Sequence, residues 1–220
     1  MIKAVVFDFC GTITKRGQNT WRRTWEFLGD EEHDDLLYEY HRSGEITEQE
    51  WAWLICGRWK RLDVTLDTFR EVAKSVELLH GVRDTFDELH KRNIKIFILS
   101  GGMRQVIEMV LSRNGLREQV TSIEAYGFKF DKSGALVDMT MPKHDVEQKN
   151  TYIDAIMKKY GFTAAEVIFV GNDKNDEGAA KSGVTTICIN PLETDINNKK
   201  VWTHAIQSCT DLRDILAYIK

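Results

Sequence analysis

The sequence predicts an α/β fold: a parallel sheet covered by helices on both faces and interrupted near its start by a helical insertion. Three observations carry that expectation. Short apolar runs separated by helical periodicities recur after residue 81, the pattern of strands joined by crossover helices. Residues 15–80 have a different texture, with no strand-like run and five of the chain's six tryptophans (Trp21, Trp25, Trp51, Trp53 and Trp59). Polar residues collect where the predicted strands stop, at Asp8, at Ser100 and from Gly171 to Asp176. In open parallel sheets, ligands sit at those carboxyl ends.

Taken in order, residues 3–9 (KAVVFDF) form a buried strand rich in Val and Phe, ended by Gly11 and Thr12. Within 15–80, Thr47 and Glu50 make a capping-box pattern ahead of Trp51, Leu54 and Ile55. Leu66, Phe69, Ala73 and Val76 recur at helical spacing. The insertion is about 65 residues long, enough to pack on itself or on the core. The spacing then predicts a helix over 82–92, a buried strand over 94–99, and a helix over 103–113 stopped by Asn114-Gly115. Residues 120–124 read as extended, and YGFKF and ALVDM around Lys132-Ser133-Gly134 signal a hairpin over 126–139. A helix over 147–160, strands over 167–170 and 185–189, and helices over 177–182 and 211–219 complete the set. The expected division is a core of 1–14 with 81–220 and a helical cap of 15–80.

With 220 residues, 42% hydrophobic and 29% charged, the chain is long enough for one core plus a small inserted domain and too apolar to be disordered. A formal net charge of −4 predicts no nucleic-acid partner and no anionic membrane surface. No apolar run reaches membrane length, and the first residues lack the basic start and cleavage site of a secretory signal. Cys10, Cys56, Cys188 and Cys209 form no CxxC pair, so neither a zinc site nor a disulfide framework is suggested, and a cytoplasmic location is expected. The six histidines (His33, His41, His80, His90, His144 and His204) show no metal-ligand spacing and read as surface or loop residues. Arg22, Arg23 and the run Arg58-Trp59-Lys60-Arg61 read as polar sides of cap helices, although a cap arginine could meet a substrate anion. The tryptophans read as cap core, with a fraction lining the cleft.

Four clusters carry candidate chemistry. In VVFDFCGTIT, a strand delivers Asp8 to its carboxyl end, where a carboxylate can attack phosphorus and form a mixed anhydride. The alternative is an aspartate that merely ends a strand. In IFILSGGM, Ser100 and the N–H groups after it suit a phosphate at a helix N-terminus; the alternative is a serine helix cap. Lys149 opens the helix KNTYIDAIMKKYG, where an ammonium would neutralise phosphate charge; the alternative is a solvated lysine, with Lys143 a competitor. After Gly171, Asn172, Asp173, Asn175 and Asp176 crowd one loop, and their oxygens suit Mg²⁺; the alternative is a polar turn capping a helix.

In this order, each at a strand end or helix start, the clusters resemble the haloacid dehalogenase superfamily over essentially the whole chain. The sequence is most similar to the phosphoserine-phosphatase-like branch, through Ser100-Gly101-Gly102 and the position of the helical insertion. The resemblance implies a Rossmann-like core, Mg²⁺ as cofactor and a small phosphorylated molecule as substrate. It implies Asp8 as nucleophile, Ser100, Gly101 and Lys149 as holders of the transferring phosphoryl group, and Asp8, the Cys10 carbonyl, Asn172 and Asp176 as metal ligands.

Two positions depart from the family pattern. The phosphatases usually carry a second aspartate two residues after the nucleophile, which protonates the leaving alcohol and later activates water. Here that position is Cys10, and a thiol with an ordinary pKa of about 8.5 is a poor replacement. The usual first aspartate of the fourth motif is Asn172, whose amide brings no charge, so metal affinity should fall unless Asp173 compensates. Three readings follow. The first is a phosphohydrolase or phosphotransferase with slowed acid–base chemistry. The second is a non-catalytic phosphate-binding or regulatory relative. The third is a metal-independent dehalogenase in which Asp8 attacks carbon.

Overall fold

The computed structural model describes residues 1–144 and 148–220. Among them, seven strands form one sheet: β1 (Ala4–Phe7), β2 (Lys95–Met103), β3 (Val120–Phe130), β4 (Leu136–Thr140), β5 (Val167–Gly171), β6 (Thr185–Ile189) and β7 (His204–Ile206). Their spatial order is β4-β3-β2-β1-β5-β6-β7, parallel throughout except for the β3–β4 hairpin. β1 and β5 are buried at every position, as strands covered on both faces must be, which explains their unbroken apolar sequence. The chain winds from β1 outward through β2 and β3, then returns to the other side of β1 as β5. That reversal opens a crevice beyond the carboxyl ends of β1 and β5.

Helices α1 (Thr20–Leu28), α2 (Glu31–Ser43), α3 (Glu48–Arg61) and α4 (Leu66–Ser75) all lie between β1 and β2. The chain leaves and re-enters the sheet through a narrow neck, where Leu79 N–H donates to the Ile13 carbonyl and Lys15 N–H to the Glu77 carbonyl. Thr47 and Glu50 form the capping box their spacing predicts, and it starts α3. Trp25 and Trp59 are fully buried with ring centroids 5.4 Å apart, and Trp59 packs 5.6 Å from Phe128 of β3. These tryptophans therefore fill the insertion's core and seat it on the sheet. Trp53 instead projects outward, 54% exposed. The remaining helices are α5 (Val82–Lys91), α6 (Arg104–Arg113) and α7 (Asn150–Tyr160). No helix among the described residues is long and apolar enough to cross a membrane.

Several elements differ from their sequence expectation. β2 does not stop at Leu99 but runs through Ser100-Gly101-Gly102 to Met103, because Met103 pairs with Tyr126 of β3 and donates its N–H to Thr20 Oγ1. Ser100 is therefore not a helix cap. Residues 120–124 and 126–130 are one continuous strand, β3, turned back by a loop in which Asp131 Oδ1 accepts N–H bonds from Ser133 and Ala135. The segments expected as helices near 177–182 and 211–219 are 3₁₀ helices, Lys174–Ser182 and Leu212–Tyr218. The three residues of β7 are too short and mixed to give a strand pattern. The helix expected from 147 starts at Asn150, and Glu147 lies outside the described residues.

The approach to α7 is tight. Lys149 has φ +58°, and Asn150 N–H donates back to the Gln148 carbonyl at 2.6 Å, a three-residue turn of the strained γ type. Gly178 of the facing 3₁₀ helix makes room for it: a Cβ there would sit 2.6 Å from the Gln148 carbonyl carbon. Alanine is the better helix former in isolation, yet Gly178→Ala should destabilise the protein by about 1–3 kcal/mol, the usual cost of overpacking. Urea unfolding of the variant checks this; unchanged or raised stability would show that the turn does not need the glycine.

Candidate active site

β1 carries Asp8 to the crevice, and Asp8 N–H extends the ladder by donating to the Val170 carbonyl. The chain then turns sharply. The N–H groups of Thr12, Ile13 and Thr14 all point to the Phe9 carbonyl, and Gly11 takes φ +79°. Gly11 serves a second purpose, because a Cβ there would lie 2.7 Å from the Asn172 amide nitrogen. That closeness lets Thr12 Oγ1 donate to Asn172 Oδ1 at 3.0 Å, tying the first turn to the loop after β5.

Lys149 is the focus of the site. It is fully buried, with Nζ 3.3 Å from Asp8 Oδ1, 3.3 Å from Asp176 Oδ1 and 3.1 Å from the Leu99 carbonyl to which it donates. Asp176 Oδ2 accepts N–H bonds from Asn172 and Asp173, so this carboxylate shapes its own loop. Its Oδ1 is buried without a hydrogen-bond partner and meets only the charge of Lys149. Burial works against the ammonium, but the two carboxylates outweigh it and hold Lys149 charged. Asp8 is pushed up to about 7, first by burial and then by Asp176, with Lys149 pulling the other way. Cys10 is pushed up to about 12, chiefly by burial and then by Asp8.

Ser100 is buried, and its Oγ accepts the Gly102 N–H at 3.1 Å. The Gly101 carbonyl accepts from Trp21 Nε1 at 2.7 Å, so α1 is clamped onto the glycines that end β2. Asp8, Cys10, Ser100, Gly101 and Asn172 share one cavity of about 430 Å³. Of the two lysines considered for the site, Lys149 meets Asp8 and Lys143 is exposed. Asp173 lines the cavity and caps the 3₁₀ helix, accepting from Lys174 N–H.

The far wall of the cavity comes from the insertion and β3, including Trp21, Asp34, Glu48, Trp51 and Tyr126. Sequence reasoning missed Asp34, Glu48 and Tyr126 as site residues, because nothing in local spacing distinguishes them. His41, expected at the surface or in a loop, is half-buried on α2 and lines the same cavity. Arg22 also lines it, but its guanidinium is held by Asp35 at 2.6 Å and Asp34 at 3.3 Å.

A family model described as haloacid dehalogenase-like hydrolase matches residues 2–183. The chain belongs to that family. Phosphoserine phosphatase of Homo sapiens is 31% identical to it over 101 residues, covering 45% of this chain and 43% of that protein. The 2-hydroxy-3-keto-5-methylthiopentenyl-1-phosphate phosphatase of Microcystis aeruginosa is 31% identical over 107 residues, 47% of each. The alignments thus span less than half the length of these curated relatives. A substrate-bound phosphoserine phosphatase complex superposes with a TM-score of 0.78 at 20% identity, covering 100% of this chain and 99% of that one. A phospho-aspartyl intermediate analogue of phosphoserine phosphatase gives 0.76 at 22% identity, covering 100% and 99%. At such identities the likeness is one of fold, and it extends over the whole α/β architecture.

The donor set that the site offers a divalent cation is sparse. Among the described residues, no three His, Cys, Asp or Glu side chains converge as metal ligands. Asp8 and Asp176 are the buried carboxylates beside Lys149, and Asn172 contributes an amide in place of a third. The oxygens that remain, on Asp8, the Asn172 amide and the orphaned Asp176 Oδ1, still fit a hard cation, at lower charge.

Removing the ammonium exposes the electrostatic strain it relieves. Lys149→Met would leave two buried carboxylates facing each other, at a cost of about 3–5 kcal/mol at pH 8. Asp8 already has its folded pKa raised, and the substitution raises it further. Between the unfolded and folded pKa values the native state holds a proton that the unfolded chain has lost, so stability falls as pH rises through that window. The deficit of Lys149→Met should therefore be smaller at pH 5 than at pH 8. Denaturant unfolding at both values checks it; an equal deficit would refute the coupling.

Proposed function

We propose that the chain is a phosphatase-type hydrolase that acts on a small phosphorylated molecule through an aspartyl-phosphate at Asp8. The observation that carries this reading is the buried Lys149 ammonium 3.3 Å from Asp8 Oδ1, with Asp8 and Ser100 lining one cavity. In this reading Asp8 attacks phosphorus, an Asp8–phosphorus bond forms, and the bond to the leaving oxygen breaks. Lys149, the Ser100 hydroxyl and the Gly101 region hold the phosphoryl oxygens, where charge builds in the transition state. Water then attacks the same phosphorus, the Asp8 oxygen–phosphorus bond breaks, and inorganic phosphate leaves with Asp8 returned as the carboxylate. A dehalogenase reading is less well supported, since attack on carbon needs no phosphoryl cradle.

Asp8, the Cys10 carbonyl, Asn172 and Asp176 would hold Mg²⁺. When bound, it supplies charge neutralisation between the nucleophile and the phosphate. Asn172→Asp restores one negative charge and should tighten Mg²⁺ binding by about tenfold or more, read by calorimetric titration. Equal affinity in both proteins would remove Asn172 from the ligand set.

The weak point of the site is proton transfer. With its pKa pushed up to about 12, Cys10 neither protonates a leaving alkoxide readily nor deprotonates water. Substrates with good leaving groups should phosphorylate Asp8, while its hydrolysis is slow. We also assign residues 15–80 as a cap that closes the cavity and sets substrate choice, on the support of the Trp21 clamp to Gly101.

Asp8→Asn should abolish turnover of an aryl phosphate. Cys10→Asp should raise turnover of an alkyl phosphate more than that of an aryl phosphate, within the ~10²–10⁴-fold that general acid–base catalysis contributes. Full activity in Asp8→Asn would refute the nucleophile. Inactive wild type that still binds beryllofluoride at Asp8 would favour the non-catalytic phosphate-binding reading.

A further inference from the structure

The strand that carries Ser100 leaves the sheet's ladder just where it enters the cavity. On β2, Leu99 pairs with Glu124 and Met103 with Tyr126, so Ser100, Gly101 and Gly102 together face the single residue Ala125 of β3. Such a bulge re-aims a side chain and leaves backbone groups without ladder partners. Its two consecutive glycines also give this stretch more conformational freedom than the rest of β2. The serine that meets a phosphoryl oxygen is therefore mounted on backbone that the sheet does not fix.

The start of α1 supplies the missing restraint. Trp21 Nε1 donates to the Gly101 carbonyl at 2.7 Å, and at the other end of the same peptide group the Gly102 N–H donates to Ser100 Oγ at 3.1 Å. The Gly101–Gly102 peptide is thus held at both ends. That accepted N–H is the one hydrogen bond of the Ser100 side chain among the described residues, so the hydroxyl proton is left for a group in the cavity. The indole is itself fixed: Trp21 is 4% exposed, with the rings of Trp51, Trp59, Tyr126 and Phe128 centred 4.9, 5.4, 5.3 and 5.6 Å away. Its neighbour Thr20 accepts the Met103 N–H at 3.1 Å, which closes the far end of the bulge. Gly102 completes the fit, because a Cβ there would lie 3.0 Å from Thr20 Oγ1 and 3.3 Å from both Cys10 Sγ and Ser100 Oγ.

We propose that Trp21 is a positioning residue for phosphoryl transfer: its indole N–H sets the Gly101–Gly102 peptide, and through that peptide the Ser100 hydroxyl, to donate to a phosphoryl oxygen. This rests on the phosphatase reading above. Hydrogen bonds in a chain polarise one another. Donation into the Gly101 carbonyl strengthens the Gly102 N–H as a donor, and Ser100 Oγ, by accepting it, becomes a better donor in turn. Trp21 acts through Ser100 rather than on the substrate. Phenylalanine would fill the aromatic cluster but has no N–H, so the chain accounts for an indole at this position.

The test is a double-mutant cycle of Trp21→Phe and Ser100→Ala in the full chain with Mg²⁺. Two quantities are read: kcat/KM for an aryl phosphate and the affinity for inorganic phosphate. Trp21→Phe alone should lower each by about 4- to 10-fold, the effect of one hydrogen bond. In the Ser100→Ala background the same substitution should change them by less than about 2-fold, since the group it acts through is gone. A merely structural role gives equal losses in both backgrounds. That result, or no loss in either, overturns this proposal, and turnover of the aryl phosphate leaves the phosphatase reading standing. A second measurement needs no Trp21 variant. In ¹H–¹⁵N spectra of the wild type, inorganic phosphate should move the Trp21 indole N–H downfield, and Ser100→Ala should abolish the movement. An unmoved indole overturns the proposal, and this result decides where a variant fails to fold or is too slow to measure. Wild type that neither turns over the aryl phosphate nor binds inorganic phosphate overturns both.

Discussion

The site is organised around one buried cation. Lys149 Nζ joins three neighbouring parts of the sheet: Asp8 after β1, the Leu99 carbonyl within β2, and Asp176 in the 3₁₀ helix after β5. A fully buried ammonium is tolerated only when its charge is answered, and here two carboxylates and a carbonyl answer it. Much of the local backbone serves this arrangement. Lys149 itself takes a strained positive φ, Gly178 yields space for the turn that presents it, and Gly171 lacks the Cβ that would lie 2.5 Å from Asp176 Oδ2. The strain is held by the surrounding structure and places a rigid positive charge where the carboxyl ends of β1, β2 and β5 converge.

From that centre the cavity changes character outward. Its inner end offers Asp8, the Ser100 hydroxyl and Asn172, with the buried Lys149 ammonium 3.3 Å from Asp8 Oδ1. Its outer end is aromatic and acidic, and its arginine is already paired. The two ends come from different parts of the chain. Strand ends of the sheet build the inner one, whereas α1, α2, α3 and β3 supply most of the outer one. The Trp21 bond to the Gly101 carbonyl and the Thr20 bond to Met103 N–H lock the two together, so the insertion is a wall of the site rather than a neighbour of it.

This division also explains what the sequence could and could not disclose. Asp8, Ser100 and Asn172 were legible because an apolar strand run followed by a polar residue is a local signal, and parallel sheets place such residues together. Lys149 was legible only in relation to the other clusters, since its own surroundings read as an ordinary helix start. The outer wall was illegible. Asp34 and Glu48 sit on amphipathic helices among many similar acids, and their convergence exists only after folding. The extension of β2 through two glycines was missed for a related reason, as its partners, Thr20 and Tyr126, are distant in the chain. The 3₁₀ helix Lys174–Ser182 shows the opposite case: the local pattern announces a helix, and a short, glycine-broken segment settles into the tighter form.

The two departures from the family pattern belong to one electrostatic change. A site with aspartate at both positions would bury four carboxylates against Lys149 and a divalent cation, leaving one net negative charge. With Cys10 and Asn172 the site buries two carboxylates against Lys149, and it reaches that same net charge with no divalent cation at all. Each replacement on its own would leave an intermediate imbalance; together they preserve the charge that the buried environment must accommodate. A divalent cation would therefore gain less free energy here than in a four-carboxylate site, because two buried carboxylates are already opposed by Lys149. The cost falls on proton transfer. In the proposed reading the group that would shuttle protons is a thiol, which burial and then the Asp8 charge hold neutral.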